Sequence, residues 1–180
     1  MEFVEKVKAN TAEAKEAFGA LSPEQLNWKP DANSWSVGQC LDHLTVTNQA
    51  ELPALEAAMR GEHTSKFFEK LPWLPGFFGG YVVKLVDPTN VKKSKAPGVF
   101  KPSQSDVRAD IFDEYLKTAD KVVEIMNAMA GKEIEKMIIT SPVAKFVTYS
   151  ILDTFRMVAL HDKRHINQAK RVMETQGFPG

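Results

Sequence analysis

Apolar residues recur every three to four positions along four long stretches of this chain, the period of a helix that buries one face. Serine-led capping boxes mark three helical starts: the serine side chain accepts from the backbone N–H three residues on, and the residue there reaches back. Ser22-Pro-Glu-Gln25 opens a short turn with proline at its first position. Ser36-Val-Gly-Gln39 opens a long helix, and Ser150-Ile-Leu-Asp153 opens another with Asp in the place of Glu. A fourth start falls near Ser103. The long helices are expected at about residues 3–20, 36–60, 104–130 and 150–176, the last two stopping at Gly131 and Gly177.

No stretch shows sustained alternation with β-branched residues, so no sheet is expected and the fold class is all-α, a four-helix bundle. The second and third long helices are separated by residues 61–102, far more than a hairpin needs. A single long crossover in a bundle carries the chain back along its length, so that the helices it joins run parallel, and it holds short structure of its own. The apolar stretch 71–86 is expected to supply one or two short helices. With no internal repeat, low-complexity tract or linker, residues 1–180 read as a single domain.

Composition narrows the function classes. A chain of 180 residues buries enough apolar surface to fold without disulfides, and its one cysteine, Cys40, excludes an internal disulfide framework. Lys plus Arg equal Asp plus Glu at 23 each, which leaves no positive excess for a phosphate backbone, so nucleic acid is not an expected partner. The stretch 71–86 is interrupted by Pro72, Pro75, Gly76, Gly79, Gly80 and Lys84 and is shorter than the ~20 residues of a spanning helix, so no membrane is expected either. The start is acidic where a signal peptide would be basic, and a cytoplasmic location is expected.

The candidate chemistry lies in the histidines. His161 and His165 are four apart in the last long helix, about 40° apart on one face and one turn apart, so two imidazoles can converge on one ion. Thr154, Val158 and Val172 share that face, while Lys163 and Lys170 point to the opposite side; the pair faces the core. Buried imidazoles need partners, and a metal would satisfy both, as would a carbonyl or carboxylate for each. His43, early in the second long helix, has Gln39, Cys40, Thr47, Ala50 and Ala54 on its side, and the small ones leave space for solvent or substrate beside an ion. Cys40 reads as a core residue and His63, near a helix end, as outside the site. The order His-Asp-x-x-His departs from the zinc-protease pattern His-Glu-x-x-His at Asp162, which argues against a protease.

Three segments carry a family resemblance. Asn33-Ser-Trp-Ser-Val-Gly-Gln-Cys-Leu-Asp-His-Leu44 and His161-Asp-Lys-Arg-His-Ile-Asn-Gln168 resemble the two histidine signatures of the DinB-like metal-binding four-helix proteins, and Leu21-Ser-Pro-Glu-Gln-Leu-Asn-Trp-Lys-Pro30 resembles the link between their first two helices. The resemblance spans roughly residues 3–176. It implies an up-down-down-up bundle whose second and fourth helices present His43, His161 and His165 to zinc, nickel or a related ion, often in a homodimer. The family includes thiol-dependent transferases and isomerases, and many of its members have no assigned activity.

Two function classes follow. In an enzyme, an ion on three neutral imidazoles keeps open positions and lowers the pKa of a bound thiol or water, giving S-transfer, isomerisation or hydrolysis on a small molecule, a low-molecular-weight thiol among the candidates. Asp42, Asp153 and Asp162 are then the acids near enough to orient a histidine or move a proton, and Gln168 is placed to hydrogen-bond one turn beyond His165. In a binding module the ion only fixes the helices, and a closed coordination shell without a cleft would be the sign. The resemblance makes zinc or nickel the expected ion; three histidines by themselves do not name it, and iron or manganese is compatible with the same ligands.

Overall fold

The first long helix, α1 (Glu2–Phe18), is followed by α2 (Pro23–Asn27), which starts where Ser22 accepts from the Gln25 N–H at 3.2 Å. The computed structural model describes residues 2–90, 96–103 and 106–180. Ser36 accepts from the Gln39 N–H at 3.0 Å and its own N–H donates to Gln39 Oε1 at 3.1 Å, opening α3 (Val37–Met59) with the full capping box. The crossover holds α4 (Leu74–Val86) and two single turns, Phe68–Lys70 and Gly98–Phe100. Then come α5 (Ile111–Ala128) and, after a hairpin, α6 (Ile151–Met173). The protein is mostly helical, as the sequence leads one to expect.

Three details differ from expectation. The helix expected at 104–130 begins at Ile111, behind Asp110; residues 104–105 lie outside the described residues. Ser103 cannot cap it because its groups are engaged elsewhere. Its N–H and hydroxyl donate to Asp42 of α3 at 2.7 and 2.9 Å, and its carbonyl accepts from Gln39 Nε2 at 2.7 Å. Second, a small sheet exists: β1 (Ile138–Thr140) pairs antiparallel with β2 (Thr148–Ser150), Ile139 opposite Tyr149. Strands of three residues are too short to display alternation in sequence. Third, the α6 cap is not a full box. Ser150 accepts from the Asp153 N–H at 3.0 Å, but the aspartate carboxylate, a methylene shorter than glutamate, accepts from the Ser150 hydroxyl at 2.8 Å.

Long helices pack face to face, α3 against α5 and α6, and α1 against α5 and α6, while α4 lies over α6 and β2. The close seat of α4 depends on Gly79, where a Cβ would collide with the Asp153 carboxylate. Two apolar clusters form along the bundle. One holds Val7, Leu55, Val122, Ile125, Ile139 and Phe155; the other holds Phe18, Leu41, Leu44, Ile111, Tyr115 and Ile166. Between them sit polar residues of α1, α3 and α6. Asn10 Nδ2 donates to the Ala159 carbonyl at 2.8 Å, and buried Asp162 accepts from Asn48 Nδ2 at 3.3 Å and from the Tyr115 hydroxyl at 3.4 Å. Buried polar groups joined this way fix the helices against sliding, because a shifted register would leave each of them unpaired.

Candidate metal centre

The capped start of α3 and the long run of α6 set the three histidines opposite one another. His43 sits two turns into α3, and His161 and His165 one turn apart in α6; one ring nitrogen from each lies within 4.8 Å of the other two. Two of them, His43 Nε2 and His161 Nε2, are 3.1 Å apart. Ring centroids are separated by 4.9 Å (His43–His161), 4.6 Å (His43–His165) and 4.6 Å (His161–His165).

The surroundings prepare these rings as ligands. His43 Nδ1 donates to the Phe100 carbonyl at 2.5 Å, which leaves Nε2 a bare acceptor aimed at His161. A ligand histidine held at its other nitrogen by a carbonyl is the usual arrangement in protein metal sites, since it fixes both tautomer and ring angle. Burial, together with the other two rings, holds His161 well below the usual histidine pKa. Burial with help from His43 and Arg164 pushes His165 down to about 3, with Gln168 acting in the opposite sense. His43 is lowered chiefly by burial. At neutral pH all three are therefore uncharged, with lone pairs free for a cation. His165 Nδ1 is buried with no hydrogen-bond partner. Imidazole nitrogens bind zinc at ~2.0–2.1 Å, so three donors must gather within about 4 Å, close to the spread found here. The donor set fits a divalent ion.

Trp35 packs against two of the rings. Its ring stacks on His165 at 5.6 Å and 24°, and tilts over His43 at 4.9 Å. The rings open on a cavity of about 1130 Å³, lined in part by His43, His161, His165, Trp35, Thr47 and Gln168. The crossover forms its far wall, with Val82 and Val86 of α4 and with Phe100. Arg164 secures that wall to α6: its Nη1 donates to the carbonyls of Asp87 at 2.9 Å and Asn90 at 2.5 Å.

The sequence matches the DinB superfamily over residues 6–169. The chain belongs to that superfamily. It is also 23% identical over 154 residues to the uncharacterized protein YuaE of Bacillus subtilis (strain 168), a match that covers 86% of each chain. No solved structure matches it. In this DinB-superfamily bundle the two histidine signatures, 118 residues apart, meet at one point.

The other expected site residues are placed as follows. Gln168 lines the cavity one turn beyond His165. Asp42, next to His43, is turned to the backbone and hydroxyl of Ser103. Asp162 faces the bundle interior, where its partners are Asn48 and Tyr115, and burial pushes its carboxyl up to about 7. Asp153 serves the α6 cap. The geometry thus engages all three aspartates in structural bonds. Cys40 is a core thiol, pushed up to about 12 by burial, and His63 bonds Glu69 at 2.9 Å, outside the site. Ala50 and Ala54 do not line the cavity; Thr47, Asn48 and Glu51 of the same helix do. Sequence reading missed Glu51, which turns about 80° from His43 on the helical wheel. An isolated acid on the inward half of an otherwise neutral stripe was the available signal. The Phe100 carbonyl gave none, because a backbone atom has no side-chain signature.

Proposed function

We propose that this DinB-superfamily protein is a metal-dependent enzyme that carries out thiol S-transfer, thiol-assisted isomerisation or hydrolysis on a small molecule, with His43, His161 and His165 as metal ligands. The observation that supports an enzyme over a purely structural site is the cavity: the histidines stand at its wall instead of inside a closed shell, so a small molecule can reach what they hold. Bound there, a divalent ion, zinc or nickel, supplies its full positive charge, undiminished by neutral ligands, and lowers the pKa of a thiol or water.

The chain's own residues do the rest. The Phe100 carbonyl holds the His43 ring in its ligand tautomer, and Trp35, which lines the same cavity, packs its ring against His43 and His165 and restricts their orientation. Val82, Val86 and Val158 offer an apolar wall for the body of an electrophile, and Gln168 offers an amide that can orient a polar group near His165. A panel of low-molecular-weight thiols paired with monochlorobimane, and a panel of simple esters and amides, should show turnover that chelation abolishes. If neither reaction exceeds the His161→Ala background in zinc, nickel, manganese and iron forms, the binding-module reading replaces the enzyme.

A further inference from the structure

Glu51 lies eight residues beyond His43 on α3, roughly 12 Å along the helix axis at ~1.5 Å per residue, and lines the same cavity. Its Oε1 accepts from the Tyr149 hydroxyl at 2.6 Å. Tyr149, on β2, is also part of the cavity wall, as is Ser141. Glu51 Oε2 is buried and has no partner; among the described residues only Thr148 Oγ1 and His165 Nδ1 share that condition. So two of the unpartnered atoms belong to residues on one cavity, one at the histidines and one far along α3. A buried acceptor without a donor forfeits the hydration of that oxygen and recovers nothing. A donor arriving from outside would recover that loss. On α6, Met157 and Val158 line the cavity in the turn before His161, and Val82 and Val86 of α4 face them, so this part of the wall is apolar, while Thr47 and Asn48 of α3 supply its polar edge.

We propose that Glu51 and Tyr149 form a second recognition point in this cavity, which receives the hydrogen-bond-donating end (amine, hydroxyl or amide N–H) of an elongated small molecule whose other end reaches the three histidines. The proposal rests on the cavity being a small-molecule site, and it specifies the molecule: two polar ends roughly 12 Å apart with an apolar middle. Burial pushes the Glu51 carboxyl up to about 7, so near neutral pH it is divided between a carboxylate, whose Oε2 accepts, and a carboxylic acid, whose Oε2 would donate; an arriving ammonium group favours the carboxylate.

The probes are ω-aminoalkanethiols of increasing chain length and the n-alkanethiols of matching length, titrated calorimetrically into the zinc-loaded protein. The amine end should improve affinity roughly tenfold over the methyl end, and only in the longer members that can span the two points. In Glu51→Gln, whose fold is checked by circular dichroism, the advantage of the amine should disappear; the length profile in the unaltered protein tests the same point if the variant does not fold. An equal affinity of both series at every length, or an amine advantage that ignores length, overturns the second recognition point and leaves the histidine site standing. Binding by neither series overturns both.

Discussion

At the scale of single residues, the site is built by groups that are not themselves ligands. His43 is a usable ligand because its Nδ1–H donates to the Phe100 carbonyl and leaves Nε2 bare, and that carbonyl belongs to a crossover turn 57 residues away. Adjacent residues can have unrelated tasks: His161 faces the cavity, while Asp162 holds Asn48 and Tyr115 in the interior. The histidine triad was legible from spacing, whereas the part played by Asp162 was not, since a carboxylate beside a ligand looks the same whether it faces a ring or the core. The isosteric Asp162→Asn keeps an acceptor for Asn48 Nδ2 and turns its amide N–H to the Tyr115 hydroxyl oxygen, which then accepts, and should retain full metal content. Asp162→Ala leaves them unpaired and should cost about 1–3 kcal/mol in urea unfolding. Loss of metal from a well-folded Asp162→Asn would return the residue to the site. Glu51 gives a pH signature. Its carboxyl titrates at about 7 in the folded protein and near the ordinary 4.5 when unfolded, so the folded state keeps a proton that the unfolded state releases between those values. Stability from this group is full below about 4.5 and is lost as pH rises through 7. Glu51→Gln cannot ionise, so its melting temperature should gain on that of the unaltered protein between pH 5 and 8; a constant difference across that range would contradict the assignment.

At the scale of elements, the helix starts were the most legible features, because a cap is a local bond between residues three apart. Ser22, Ser36 and Ser150 all accept from the expected N–H. The start expected near Ser103 failed because Asp42 and Gln39, some sixty residues earlier, claim that serine, and no local pattern reports a distant partner. The hairpin escaped notice for a different reason: strands of three residues carry too little sequence to show a period, and their role is to hold Tyr149 in the cavity wall and to lead into the α6 cap. Ser36 is the informative cap, since it is buried and sits at the head of the helix that carries His43. Ser36→Ala strands the Gln39 N–H and should cost ~1 kcal/mol in thermal or urea unfolding. A change within experimental scatter would mean that another group replaces the cap.

At the scale of the whole molecule, the long crossover is what turns a bundle into a candidate site. It walls the cavity with α4, reaches His43 through Phe100, and is pinned to α6 by Arg164. Among the described residues no helix is long and apolar enough to cross a membrane, yet α4 shows solvent a stripe of aromatics at four-residue spacing, Trp73, Phe77 and Tyr81. Such a face is what a self-complementary contact covers, and we expect a homodimer formed through α4. Light scattering should report twice the mass of one chain, and Phe77→Lys should reduce it to one; a monomeric unaltered protein would reject the dimer. The central claim, that three histidines drawn from two helices hold one ion, is tested most directly by elemental analysis of protein purified without a histidine tag. One divalent ion per chain should be found, and it should be lost in both His161→Ala and His165→Ala. Full metal content in both variants would contradict the claim.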